Sequence, residues 1–222
     1  MKRSSLIVLL MVLVLAGVWV AWFARGRSTQ ELFLAAARGD VDTVRSLLDR
    51  GVSVDARDEH GKTALIWASL NGSIEVVNLL LERGAAVNAA DKFGLTPLMA
   101  AANPRQRAQT AVLLALLEKG ADVNAKDVNG RTPLMYALSD NEVEVAKILI
   151  ERGADVNSTN KYGEAPLTLA AMFGNREVIQ ALLSKGAKVD VRTNGGDTPL
   201  SLARKYNRKE AEQLLLRAGA KE

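Results

Sequence analysis

Asn129-Gly130-Arg131-Thr132-Pro133-Leu134 is one of five near copies of a single phrase in this chain. The others are His60-Gly61-Lys62-Thr63-Ala64-Leu65, Phe93-Gly94-Leu95-Thr96-Pro97-Leu98, Tyr162-Gly163-Glu164-Ala165-Pro166-Leu167 and Gly195-Gly196-Asp197-Thr198-Pro199-Leu200. Their glycines, Gly61, Gly94, Gly130, Gly163 and Gly196, step by 33, 36, 33 and 33 residues. A fixed period of this size means stacked similar units rather than one closed core. It directs attention to an extended binding surface and away from catalysis.

Residues 58–90 show what one unit contains. Asp58-Glu59-His60-Gly61 is turn-forming, and Gly61 is able to take positive φ. Thr63 stands where a helix N-cap belongs. Sister units carry proline next (Pro97, Pro133, Pro199), at the first helical position, where a missing N–H costs nothing. A short helix is expected over Leu65–Ser69, broken by Asn71-Gly72. A second, from Ser73 to Leu81, aligns Ile74, Val77, Leu80 and Leu81 on one face and is stopped by Gly84. Neither helix can bury its apolar side alone, so stacking on neighbours must do it. Ala68, Ala101, Ala137, Ala170 and Ala203 recur at one position and mark the expected closest helix packing.

Thr-Pro-Leu at 96–98, 132–134 and 198–200, with Gly-Ala-Asp-Val-Asn at 120–124 and 153–157, resembles the ankyrin repeat over residues 28–222. The resemblance implies an all-α solenoid of turn–helix–helix units whose usual role is binding other proteins. The expected units are 28–57, 58–90, 91–126, 127–159, 160–192 and 193–222, the outer two acting as caps. The family often has histidine after Thr-Pro-Leu. Here Ile66, Met99, Met135, Thr168 and Ser201 hold that place, and Ala165 replaces an N-cap threonine at an expected cost of about 1 kcal/mol. The third unit is three residues longer, the excess falling in Asn103-Pro104-Arg105-Gln106-Arg107. This reads as a tolerated loop insertion, with a basic contact finger as the sharper alternative.

The first 27 residues differ in kind. Met1-Lys2-Arg3 precedes an uncharged apolar run from Leu6 to Ala24, closed by Arg25 and Arg27. As a helix it would span roughly 29 Å, about the hydrocarbon thickness of a bilayer. Trp19, Trp22 and Phe23 lie near one end, where aromatics favour the membrane boundary. A cleaved secretory signal is the competing reading. Its apolar stretch would be shorter, and the bulky Trp19 and Trp22 occupy the small-residue positions of the sites ending at Ala21 and Ala24. The expectation is one transmembrane anchor over 6–24, with the repeats on the extracytoplasmic, periplasmic side. A soluble periplasmic or secreted factor is the alternative. The absence of cysteine is compatible with an oxidising compartment.

Charge divides the same way. The formal net charge is +4, and Lys2, Arg3, Arg25 and Arg27 account for all of it, leaving residues 28–222 neutral. A neutral array lacks the basic face that nucleic-acid binding requires. With one histidine and no cysteine, a Cys–His nucleophile pair and a cysteine-rich zinc site are excluded. The chain has no phosphate-binding Gly-x-x-x-x-Gly-Lys-Ser/Thr loop and no Gly-x-Gly-x-x-Gly after a strand. Asp122 and Asp155 recur with the period, as turn chemistry does and a catalytic pair does not. No enzyme activity, cofactor, metal or small-molecule substrate is expected, and the array is expected to be monomeric.

The resemblance implies that a partner would meet the inner face, made of turn tips and first-helix ends. Carried over by alignment, that face comprises His60, Lys62, Leu70 and Asn71; Lys92, Phe93 and Leu95; Val128, Asn129, Arg131 and Asp140; and Lys161, Tyr162, Glu164, Met172 and Phe173. Several are large and apolar where exposure is expected, as at a protein interface. The bland alternative is that Phe93 and Tyr162 pack turn against turn and that Met172 and Phe173 fold onto the helices.

Overall fold

A computed structural model describes residues 27–103 and 109–221. The expected anchor, apart from Arg27, and the inserted segment beyond Asn103 lie outside these residues. Among the described residues no helix is long and apolar enough to cross a membrane.

The helices run in pairs: α1 (27–38) with α2 (Val41–Asp49), α3 (Ala64–Asn71) with α4 (Ile74–Glu82), and α5 (Pro97–Ala102) with α6 (Gln109–Glu118). Then come α7 (Pro133–Ser139) with α8 (Val143–Glu151), α9 (Pro166–Phe173) with α10 (Arg176–Ser184), and α11 (Pro199–Lys205) with α12 (Lys209–Arg217). The odd-numbered helices from α3 to α11 stack in one layer and the even-numbered ones in a second. Two leucines per unit hold the layers together. Leu65, Leu98, Leu134, Leu167 and Leu200 lie in the first layer, and Leu47, Leu80, Leu116, Leu149, Leu182 and Leu215 in the second; these and Leu32 of α1 are at most 1% exposed. Each buried leucine contributes about 1.5–3 kcal/mol of transfer free energy. The recurrent alanines 68, 101, 137, 170 and 203 are all buried.

Capping explains where the helices begin. Thr63, Thr96, Thr132 and Thr198 accept a hydrogen bond from the third helical N–H, at Ile66, Met99, Met135 and Ser201. The fifth unit solves the same problem differently. Thr168 Oγ1 accepts from the Ala165 N–H at 2.9 Å and donates to the Ala165 carbonyl at 2.6 Å, while the Thr168 N–H reaches that carbonyl at 3.0 Å. The donors left by the missing threonine are therefore satisfied, and the expected local cost is partly offset. At the place where the family often has histidine, Ile66, Met99 and Met135 are fully buried core, and Thr168 and Ser201 bond locally to the cap. In the second unit both helices differ slightly from expectation. Gly72, left-handed at φ +74°, lets α3 continue to Asn71, and Ser73 is the N-cap of α4 rather than its first residue. In the third unit α5 ends at Ala102, ahead of Pro104.

Between units the chain folds into tight turns stacked side by side. Asp58, Asp91 and Asp127 each use one carboxylate oxygen to accept two backbone N–H groups of their own turn, and Asn160 does so with its amide oxygen. Each turn then bonds to the next. Lys92 N–H donates to His60 O, Val128 to Phe93, Lys161 to Asn129 and Asn194 to Tyr162, at 2.8–3.0 Å. This contact explains Gly94: its φ is +78°, and a Cβ there would lie 2.8 Å from Asp127 Cα. On the outer side the Val-Asn motif joins units. Asn124 accepts from Asp155 N–H at 2.8 Å and donates to Gly153 O at 3.3 Å; Asn88 and Asn157 do the same one unit away on either side.

Candidate partner-binding face

Turn tips and first helices expose side chains along one side of the stack. Phe93 and Tyr162 are each 58% exposed, and Val128, on the turn between theirs, is 47% exposed. They are not covered turn against turn. Adjacent packed helices lie about 8–10 Å apart, so the three span roughly 20 Å of the stack, with Val128 in the register of Lys92 and Lys161 and the half-buried Asn129 in that of Phe93 and Tyr162. Lys92 and Lys161, also exposed, stand beside Phe93 and Tyr162. His60 continues the row of tips into the second unit, with Nε2 3.5 Å from Glu59 Oε1.

Other members of the expected face do different work. Leu95 and Met172 are half-buried and pack against the core. Leu70 and Asn71 are half-buried at the end of α3, and Asp140 is the exposed C-cap of α7. Phe173 is 37% exposed but closes α9, about 12 Å of helix away from the Tyr162 tip. The face therefore divides into a row of turn tips and a row of helix ends.

Charged positions on the inner side are partly neutralised within the molecule. Lys62 Nζ lies 3.6 Å from the buried carboxylate of Asp91 and 5.5 Å over the Trp67 ring, whose Nε1 donates to Asp58 at 3.0 Å. In the fourth unit the Asp127 carboxylate accepts from Arg131 Nε at 3.1 Å and from the Tyr136 hydroxyl at 2.9 Å, and the guanidinium lies 4.6 Å over the Tyr136 ring. Burial pushes the Asp127 carboxyl up, but hydrogen bonds from the Arg131 N–H, Tyr136, the Asn129 N–H and the Arg131 side chain outweigh it and leave it below the usual range. Burial, then donation to Asp127, pushes the Tyr136 phenol up to about 12. Asn129 is half-buried in this turn.

Trp67, Tyr136 and the sixth unit lie outside the face expected from the sequence. Trp67 and Tyr136 both lie nine residues after a turn aspartate, so the period itself marks them. Tyr206, in the terminal cap, lies 33 residues after Phe173 and is 42% exposed. Two clefts open on this side. One, of about 520 Å³, lies between α1 and the second turn and is lined by Phe33, Leu34, His60 and Trp67 among others. A second, of about 370 Å³, lies between the fifth and sixth units. Among the described residues no group of His, Cys, Asp and Glu side chains is placed to hold a metal ion.

Paired helices, stacked turns and an exposed row of tips define a helical-repeat interaction array. The chain belongs to the ankyrin-repeat family, whose pattern matches in three copies over residues 26–91, 85–160 and 153–222. It is similar to the crystal structure of an ankyrin repeat domain from Acinetobacter baumannii AYE, with 34% identity and a TM-score of 0.76, covering 86% of this chain and 98% of that one. No curated protein matches it. Ankyrin repeats are in general non-enzymatic interaction scaffolds that bind protein partners.

Proposed function

We propose that this chain is a membrane-tethered scaffold, without catalytic activity, that presents its repeats on the extracytoplasmic side and binds a protein partner through the turn-tip row. The observation that carries the partner-binding part is the exposure of Phe93, Val128 and Tyr162 on three successive turns, beside Lys92 and Lys161, on a framework whose other large apolar side chains are mostly buried. Exposed apolar side chains in a row, held by a backbone ladder, offer contact area at low ordering cost. The tether rests on the uncharged run Leu6–Ala24 with Trp19, Trp22 and Phe23 at one end. The neutral array and the basic flanks fit a division between presenting and anchoring parts.

Photo-crosslinking tests the face. A benzophenone side chain at position 93 or 162 is expected to trap a discrete partner in cells, while one at Asn78 or Gln180, exposed on second helices, is not. Equal trapping from both sets would remove the assignment. Sequencing the N-terminus of the mature protein separates anchor from cleaved signal: a start at Met1 or Lys2 supports the tether, and a start near residue 25 supports the exported soluble form.

A further inference from the structure

The residue four places after the start of each turn changes sign along the stack. It is Lys62, Leu95 and Arg131 in the second to fourth units, then Glu164 and Asp197 in the fifth and sixth. The turn residue changes with it. Asp58, Asp91 and Asp127 become Asn160 and Thr193. Lys62 and Arg131 are thus neutralised by the turn carboxylates of Asp91 and Asp127. In the last two units the turn residue is neutral and the carboxylate has moved outward. Glu164 Oε2 accepts from Asn160 Nδ2 at 2.7 Å, and among the described residues neither Glu164 nor Asp197 has a cationic partner.

Both carboxylates line the cleft of about 370 Å³ between these units, together with the exposed rings of Tyr162 and Tyr206. Lys205 stands at the same cleft, leaving it one net negative charge. Two half-exposed carboxylates beside two tyrosine rings suit a planar cation, which can stack on the rings and donate in a fork to the acids. We propose that this cleft receives an arginine side chain of the protein partner. The inference rests on the scaffold reading and deepens it: Tyr162 belongs both to the turn-tip row and to the cleft wall, so a partner lying along the row would deliver its arginine at the C-terminal end.

The test uses the full chain in detergent micelles. Its ¹H–¹⁵N spectra are titrated with a capped Gly-Gly-Arg-Gly-Gly peptide, with the same peptide carrying citrulline, and with guanidinium chloride at matched concentration. The arginine peptide is expected to bind with a Kd on the order of millimolar, as a single anchoring side chain should, and to shift the amides of Tyr162, Gly195 and Tyr206. Citrulline, isosteric but uncharged, should not. E164Q/D197N, which preserves shape, should weaken the arginine peptide about tenfold or more, since hydrogen bonds between charged groups are lost. Equal shifts from citrulline, or unchanged affinity in E164Q/D197N, would overturn the proposal. Guanidinium binding as tightly as the peptide would overturn the assignment to a partner's arginine and leave a site for a free cation. Failure of the scaffold reading looks different: arginine-dependent shifts would persist while crosslinking from position 93 traps nothing. Trapping from position 93 without those shifts would sink the cleft alone.

Discussion

Asp127 shows how much one side chain can organise. One of its oxygens holds the turn through two backbone N–H groups, and the other accepts from Arg131 and Tyr136. Tyr136→Phe removes the hydroxyl donor and should cost about 1 kcal/mol near neutral pH. Because the folded phenol titrates near 12 and an unfolded one near 10, that stabilisation is complete below pH about 10 and is lost as pH rises towards 12. Urea midpoints of the two proteins should therefore converge over that interval; a constant gap would contradict the assignment. At the acid end the sign reverses. The lowered Asp127 carboxyl stabilises the fold above pH about 4, and this is lost as pH falls through its folded value. Ser69 is the opposite kind of residue: fully buried, with a hydroxyl that has no partner among the described residues. Ser69→Ala is expected to leave stability unchanged or raise it by about 1 kcal/mol, read as a shift in the urea midpoint, whereas a clear loss would mean that the hydroxyl is bonded after all.

At the scale of elements, the joints between units are the sensitive places. Asn124→Ala deletes both of its bonds to the following unit and should cost about 1–2 kcal/mol. Gly94→Ala combines a left-handed backbone with a Cβ driven against Asp127, and should cost more than Gly120→Ala, where a similar left-handed φ faces open space. Equal midpoints for the two glycine variants would refute the close-approach argument. These joints were legible in the sequence only as repeated letters. The period placed the helix pairs because the leucines and alanines that define it are the ones buried. It was silent on hydrogen bonds crossing between units, since Asn124 bonds to residues 29 and 31 places on. At Ala165 it marked the missing cap, which the structure shows, but not the compensating hydroxyl of Thr168, which sits at the position noted only for its missing histidine. On the inner face, Phe93 and Tyr162 stand exposed at turn tips, but the alignment could not tell that Lys62 and Arg131 are held by turn aspartates. The sixth unit's Asp197 and Tyr206 fall outside the expected face because the period alone marks that unit as a cap.

Across the whole molecule, the uneven distribution of charge and exposure separates presentation from support. The array is neutral, its outer helices present mostly polar side chains, and its uncovered aromatic residues concentrate on the turn-and-first-helix side. If residues 6–24 hold the array at a bilayer, protease added to intact spheroplasts should digest the repeats; protection until the membrane is opened would place them on the cytoplasmic side. The central claim, that the turn-tip row is where a protein binds, is tested most directly by F93S/V128S/Y162S. All three side chains are exposed, so the circular dichroism of the variant should match that of the parent. The account predicts that capture of the partner trapped by crosslinking falls at least tenfold, since interface energy concentrates in a few large apolar anchors. Undiminished capture by a folded F93S/V128S/Y162S protein would contradict it.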